Sequence, residues 1–300
     1  MDCEKRQNGI LAIQQLREQL LSLKQEKMSE LMNQLNETVN FIKGKIGTST
    51  RIGIVLGSGL GNLAEVIKVN ESIPYADIPN FQTSTVKGHG GRLILGELGG
   101  VNVLVMSGRF HYYEGYSPEQ VVLPIRVMKL LGVETVLLSN AAGGVNPAFK
   151  VGDLMIINDH ISFFTANPLM GKNIEELGTR FPDMSEPYSH AIIDKALAIC
   201  QQNNIHIRQG VYTAVTGPTF ETHAEYRLIK AIGSDVVGMS TVQETIAAVH
   251  CGMNVFAVSV VTDLGIRDSN NVITHEEVLQ AAKEAEPKLT LLFTELVKVI

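Results

Sequence analysis

The chain has 300 residues, enough to bury a substantial core, and its 45% apolar and 19% charged content excludes a disordered chain. Lysine and arginine total 25 against 31 aspartate and glutamate, a net charge of −6, which argues against a nucleic-acid binder and leaves any bound anion small and locally held. Three distant cysteines, Cys3, Cys200 and Cys251, form no CxxC pair, so zinc and a disulfide framework are disfavoured and a reducing cytoplasm fits the composition.

No apolar run is long enough to cross a bilayer, so no membrane partner is expected. Near the N-terminus Ile13, Leu16, Leu20 and Leu23, then Leu31, Leu35, Val39 and Ile42, recur at helical spacing, with Lys27 and Met28 interrupting the stripe. Residues 1–27 read as an accessory amphipathic helix or a leader upstream of a start at Met28; the competing reading is a short coiled-coil arm. Residues 28–300 form the main domain.

After Thr50 the pattern changes to short apolar runs separated by glycines. Ile52 to Leu56, Leu93 to Leu95, Val101 to Met106, Val136 to Leu138 and Leu154 to Ile157 read as buried strands, followed by Val211 to Val215, Val236 to Met239 and Val255 to Val261. Helical stretches fall between them at Pro118 to Leu131, His190 to Gln202, Glu221 to Ile232 and Val242 to His250. A last helix runs from His275 toward Ile300, with Pro287 expected to kink or break it. The alternation predicts an α/β domain whose sheet is largely parallel.

Ligands in such sheets bind beyond the carboxyl ends of strands, so residues at those ends carry the chemistry. The first strand runs into Gly57-Ser58-Gly59-Leu60-Gly61, where glycines let backbone N–H groups approach an anion and Ser58 adds a hydroxyl. The spacing is one residue short of the dinucleotide fingerprint, so a plain tight turn is an equal alternative and an oxidoreductase a poor one. A histidine among glycines, His89, sits in the loop Lys87 to Arg92. Arg109 and His111, two residues apart on an extended segment, project to one side and can meet one anion. Asn140-Ala141-Ala142-Gly143-Gly144 leaves room for something close to the main chain. Phe220 and Glu221 sit at the mouth of a helix, where Glu221 has the alternative role of complementing the helix dipole. Val237 to Thr241 ends a strand and opens a helix. Asp263, closing the last strand, is either a helix cap or a buried acid. Together these residues describe a polar pocket with an anion site beside an aromatic slot.

The ordered set GSGLG (Gly57 to Gly61), GHGG (Gly88 to Gly91), GRFHYYEGY (Gly108 to Tyr116), NAAGG (Asn140 to Gly144), GPTFET (Gly217 to Thr222), VGMST (Val237 to Thr241) and HEEVL (His275 to Leu279) resembles the trimeric-type purine nucleoside phosphorylases, from about Met28 to the C-terminus. The resemblance implies a single α/β domain with a mixed β-sheet, a distorted barrel and flanking helices, working as a homotrimer in the cytoplasm. It implies reversible phosphorolysis of purine nucleosides in purine salvage, with inorganic phosphate as co-substrate and no metal or organic cofactor. Phosphate would lie against Ser58, His89, Arg109, His111, Ala141 and Ser240. The ribose would meet Tyr113, the Met239 backbone and His275. The base would stack beside Phe220, with Glu221 accepting from ring N1–H and Asn140, Gly143 and Val237 completing its pocket. His111, Glu221 and Asp263 are the catalytic candidates.

Two positions depart from the family pattern. Members preferring 6-oxopurines usually carry Asn where this chain has Asp263; an ionised carboxyl accepts from a 6-amino group, so a range broadened toward adenosine is expected. The segment His160 to Pro168 is shorter than in mammalian-like members, where it supplies an aromatic to the neighbouring subunit, and Phe163 and Phe164 are the candidates for that role. The rivals are a methylthioadenosine phosphorylase, disfavoured by His275 as a hydroxyl partner, and a nucleoside-binding protein without turnover.

Overall fold

The computed structural model describes residues 30–46, 50–85, 90–266 and 274–300. The expected helix before Leu31, the Met28 boundary and His89 lie outside the described residues. A first helix, α1, spans residues 30–45 and places Leu35, Val39 and Ile42 in the main core, as their spacing predicts.

Among the described residues nine strands follow in one sheet: β1 (Ile52–Val55), β2 (Lys68–Pro74), β3 (Arg92–Leu98), β4 (Val101–Ser107), β5 (Thr135–Gly144), β6 (Leu154–Ile161), β7 (Ile207–Ala214), β8 (Val236–Gly238) and β9 (Asn254–Leu264). The helices are α2 (Pro118–Leu130), α3 (His190–Gln202), α4 (His223–Ala231), α5 (Val242–His250) and α6 (His275–Leu296). Strand order is β2-β3-β4-β1-β5-β8-β7-β6-β9, and β5 also pairs with β9, so the last five strands close into a barrel while β2, β3, β4 and β1 extend the sheet from it. The sheet is mixed rather than largely parallel. β2–β3, β3–β4, β5–β8 and β6–β9 run antiparallel, and β1–β4, β1–β5, β5–β9, β6–β7 and β7–β8 run parallel. Apolar runs report burial on both faces, which a closed barrel supplies as well as a parallel sheet does, so run composition could not fix strand direction.

The barrel's closure decides where chemistry can occur. β5 runs on through Asn140-Ala141-Ala142-Gly143-Gly144 rather than stopping at Leu138, because its small residues fit between two partners. Gly143 pairs with Val237 of β8 on one side and with Asp263 of β9 on the other, across a register shift after Ala142. A Cβ on Gly143 would sit 3.0 Å from Asp263 Oδ1, so glycine is what lets that carboxyl lie against the strand. α6 continues through Pro287 without a break. Leu289, Leu292, Phe293 and Leu296 beyond it are wholly buried, and four such side chains outweigh the cost of about 3 kcal/mol of an interior proline.

Candidate active site

The described strand ends converge on one cavity of about 330 Å³. Ser58, Arg109, His111, Ala141 and Ser240 line it, as do Tyr113, Asn140, Phe220, Glu221, Val237, Met239, Asp263 and His275. Every site residue expected from the sequence thus faces the same space, except His89, which lies outside the described residues. A second, wider cavity between α1 and the stretch from Pro168 to Leu177 contains none of them.

The Arg109 side holds the cationic groups. Beyond β4, Gly108 turns the chain with φ of +97°, and the next residues alternate sides as an extended segment should. Phe110 enters a ring cluster with Tyr75, Phe81 and Tyr116, at centroid distances of 5.3, 5.8 and 6.1 Å, while Arg109 and His111 turn to the cavity. The Arg109 guanidinium is 1% exposed; Nη2 donates to Ser139 O (2.6 Å), and Nη1 donates to Thr241 Oγ1 (2.9 Å) and lies 3.1 Å from Glu244 Oε2. It is thus a fixed charge braced from beneath rather than a mobile rim side chain. His111 Nδ1 meets Glu114 Oε1 at 2.9 Å, and Glu114 Oε2 accepts from Thr85 N and Oγ1, both 2.7 Å. Burial opposes ionisation of Glu114, but the hydrogen bonds from His111 and Thr85 outweigh it and hold the carboxyl at about 2. Burial in turn lowers the His111 pKa against the pull of Glu114. With Glu114 ionised, Nδ1 of the neutral ring carries the proton and Nε2 is left to exchange one with a ligand. Tyr113 stacks on the His111 ring at 4.6 Å and 18°.

The opposite group is acidic and apolar. α4 begins at His223, not Glu221, because Thr222 caps it by accepting from Glu225 N (3.3 Å). Glu221 therefore lies before the helix, outside the turn where dipole complementation operates, and its carboxyl is available to the cavity. Burial is the main cause raising its pKa, and the nearby charge of Asp263 adds to that. Asp263 is 4% exposed, and Thr262 Oγ1 donates to its Oδ2 at 3.2 Å. It closes β9 within the strand, so the helix-cap alternative does not hold. Gly217, with φ of +66°, lies against Met239, whose side chain would have to shift to admit a Cβ there. Asn140 Nδ2 donates to Thr241 Oγ1 (2.9 Å), and its buried Oδ1 has no hydrogen-bond partner among the described residues.

Residues 51–298 match the family model described as the phosphorylase superfamily. A purine nucleoside phosphorylase 1 of Geobacillus stearothermophilus is 50% identical over 252 residues, 84% of this chain and 92% of that protein. The chain belongs to the purine nucleoside phosphorylase family. Crystal structures of Schistosoma mansoni purine nucleoside phosphorylase, one in complex with adenosine and one with inosine, superpose with a TM-score of 0.85 each. They are 43% and 41% identical and cover 89% of this chain and 96% of theirs.

As a purine nucleoside phosphorylase, the chain carries three supporting residues to which motif reading gave no role: Thr241 and Glu114, both inside quoted motifs, and Glu244. Thr241 has φ of +71°, unusual for a branched residue, and gathers Arg109, Asn140 and Ser240 around one hydroxyl. Its amide donates to Glu244 Oε2 (3.0 Å), the carboxylate that also holds Arg109. The sequence did contain a sign of it: Thr241-x-x-Glu244 is a capping box, and His111-x-x-Glu114 repeats the same spacing. Exchanging Glu244 for Gln removes the countercharge of a buried arginine and is expected to raise KM for phosphate about tenfold, measured at saturating inosine.

Proposed function

We infer that the chain catalyses reversible phosphorolysis of purine nucleosides and deoxynucleosides, inosine and guanosine among them, yielding free base and ribose or deoxyribose 1-phosphate. One observation carries the reading: a single cavity joins a braced arginine, a histidine and two serine hydroxyls to a buried acid beside an aromatic ring. A binder without turnover has no use for both halves, and relatives named purine nucleoside phosphorylase favour this activity over methylthioadenosine phosphorolysis.

In this reading Ser58, Ser240, the Ala141 main chain and Arg109 hold the phosphate, with His111 managing its proton and His89 assigned to it by the sequence alone. Tyr113, Met239 and His275 take the ribose. Phe220 stacks on the base, and Glu221 accepts from N1–H. As the glycosidic bond breaks, positive charge grows on the sugar and negative charge on the purine. The phosphate dianion, neutralised in the ground state by Arg109, stabilises the oxocarbenium-like sugar. Asn140 and Asp263 face the departing base. The bond formed joins a phosphate oxygen to the anomeric carbon; the bond broken releases the base, whose N7 or N9 takes up a proton. No metal or organic cofactor is required, so dialysis against a chelator is expected to leave the rate unchanged. The reverse reaction tests the assignment: hypoxanthine and ribose 1-phosphate should give inosine and free phosphate in equal amounts. Failure to form inosine would sink it.

A homotrimer is the expected assembly. The irregular segment between β6 and α3 exposes Phe163, Phe164, Met170 and Phe181, with Phe163 and Phe181 89% and 85% exposed. Such apolar surface on one segment marks an interface. Exchanging Phe163 and Phe181 together for Ser is expected to reduce the mass in solution below three chains. An unchanged mass would place the interface elsewhere. No helix among the described residues is long and apolar enough to cross a membrane.

A further inference from the structure

We propose that Glu286, a buried acid outside the cavity, is the positioning residue of the Gly57–Gly61 loop and holds it in the shape that receives phosphate. The proposal rests on the phosphate reading of Ser58 given above.

Glu286 lies on α6, whose first turns contribute His275 and Val278 to the cavity. It follows His275 by three helical turns and so shares its face, roughly 16 Å further along the axis. Between them Ala282 and Leu279 press on the loop: a Cβ on Gly59 would stand 2.7 Å from Ala282 Cβ and 3.2 Å from Leu279 O. Gly59, with φ of +74°, is therefore fitted to this helix as well as to its own turn. Beyond the loop the chain enters a 3-10 helix, Gly61–Val66, whose N-cap residue, Leu60, offers no side-chain acceptor to the first amides. Glu286 supplies that acceptor from a distance of 224 residues in sequence, its Oε1 accepting from Asn62 N (2.6 Å) and Leu63 N (3.2 Å). At its other end the loop is held by Gly57 N donating to Ser139 Oγ (3.2 Å), and internally by Leu60 N donating to Gly57 O (3.2 Å). Ser58 thus stands in a loop pinned on both sides, and the second pin is Glu286.

Glu286 is 2% exposed, and its Oε2 has no hydrogen-bond partner among the described residues, an expensive state for a carboxylate. Burial raises its pKa, with the Asn62 and Leu63 amides opposing. An apolar residue at this place would suit the helix face better, since Ala285, Leu289 and Leu292 nearby are all buried. What the acid adds is the direction it gives two amides, and through them the loop that ends in the phosphate site.

The test separates KM for phosphate from KM for inosine. Glu286→Ala is expected to raise KM for phosphate about tenfold with KM for inosine within twofold. Glu286→Gln keeps the accepting oxygen and should restore the parent value. A residue that only stabilised the fold would move both constants together or neither, and that outcome overturns the proposal. Should the Ala variant not fold, Glu286→Asp withdraws the carboxylate by one carbon and is expected to give the same selective rise. Ser58→Ala is measured alongside. If it leaves KM for phosphate unchanged, the phosphate reading itself fails; if it raises that constant while Glu286→Ala does not, only the role of Glu286 falls.

Discussion

Asp263→Asn is expected to lower kcat/KM for adenosine relative to inosine by roughly 10- to 100-fold. The carboxyl is 4% exposed, lies against Gly143 at the β5–β9 register shift, and lines the same cavity as Glu221. An ionised carboxylate accepts from a 6-amino group and repels a 6-oxo group; an amide donates to O6 and N7 at any pH. A hydrogen bond to a charged group is worth about 1.5–3 kcal/mol, which sets the range. The variant should gain on inosine while losing on adenosine, because the same exchange adds a donor for one base and removes an acceptor for the other. The two substrates measured in parallel on parent and variant decide it, and an unchanged ratio would show that Asp263 does not read position 6.

The second large effect belongs to Glu221. Replacing it with Ala is expected to lower kcat/KM for inosine about 10²-fold, since a half-buried charged acceptor for N1–H is lost and the base side of the cavity opens to water. Its pKa is raised, first by burial and then by the charge of Asp263, and the ionised form is the one that accepts. The sign follows: activity on inosine drops as pH falls through the raised value, and Glu221→Gln removes the limb. Because Asp263 contributes to the shift, Asp263→Asn should move that acid limb to lower pH. A limb that stays in place would separate the two carboxyls. The same burial works against stability. The folded state binds the proton more tightly than the unfolded chain, so stability from this group is greatest at low pH and declines as pH rises through the raised pKa. Glu221→Gln is therefore expected to melt no lower than the parent at neutral pH.

The stretches that bury apolar residues were legible. β1, β4, α2, α3 and α5 fall within a residue or two of their expected limits, because near-continuous Val, Ile and Leu runs and helical spacing report burial directly. β2 was missed: Lys68 to Pro74 is an edge strand whose mostly polar, exposed side chains give no apolar run. The apolar run that marks this strand ends at Leu138, because glycine and alanine have little strand preference, yet NAAGG is the end of β5, held by β8 and β9 at once. Strand direction was also out of reach, since a barrel strand and a parallel-sheet strand are buried alike. Within the site, residues at strand ends could be named from motif and position. Their supports could not: Glu244 beneath Arg109 and Glu286 behind the glycine loop gain their partners across 135 and 224 residues of chain, which local pattern does not encode. Glu114 was closer to hand, three residues from His111 in a capping-box spacing that carries meaning once the turn is recognised. Phe163 and Phe164 are the sequence candidates for an aromatic reaching the neighbouring subunit's sugar site; both are exposed, as are Met170 and Phe181 in the same segment.

Base release from inosine, guanosine, adenosine and methylthioadenosine, each with and without inorganic phosphate, addresses the central claim most directly. The cavity described here predicts release only when phosphate is present, with ribose 1-phosphate formed mole for mole from inosine and guanosine, measurable release from adenosine, and methylthioadenosine the poorest of the four. Base release at the same rate without phosphate would mean that water is the nucleophile and that the arginine, histidine and serines of the anion side serve some other purpose.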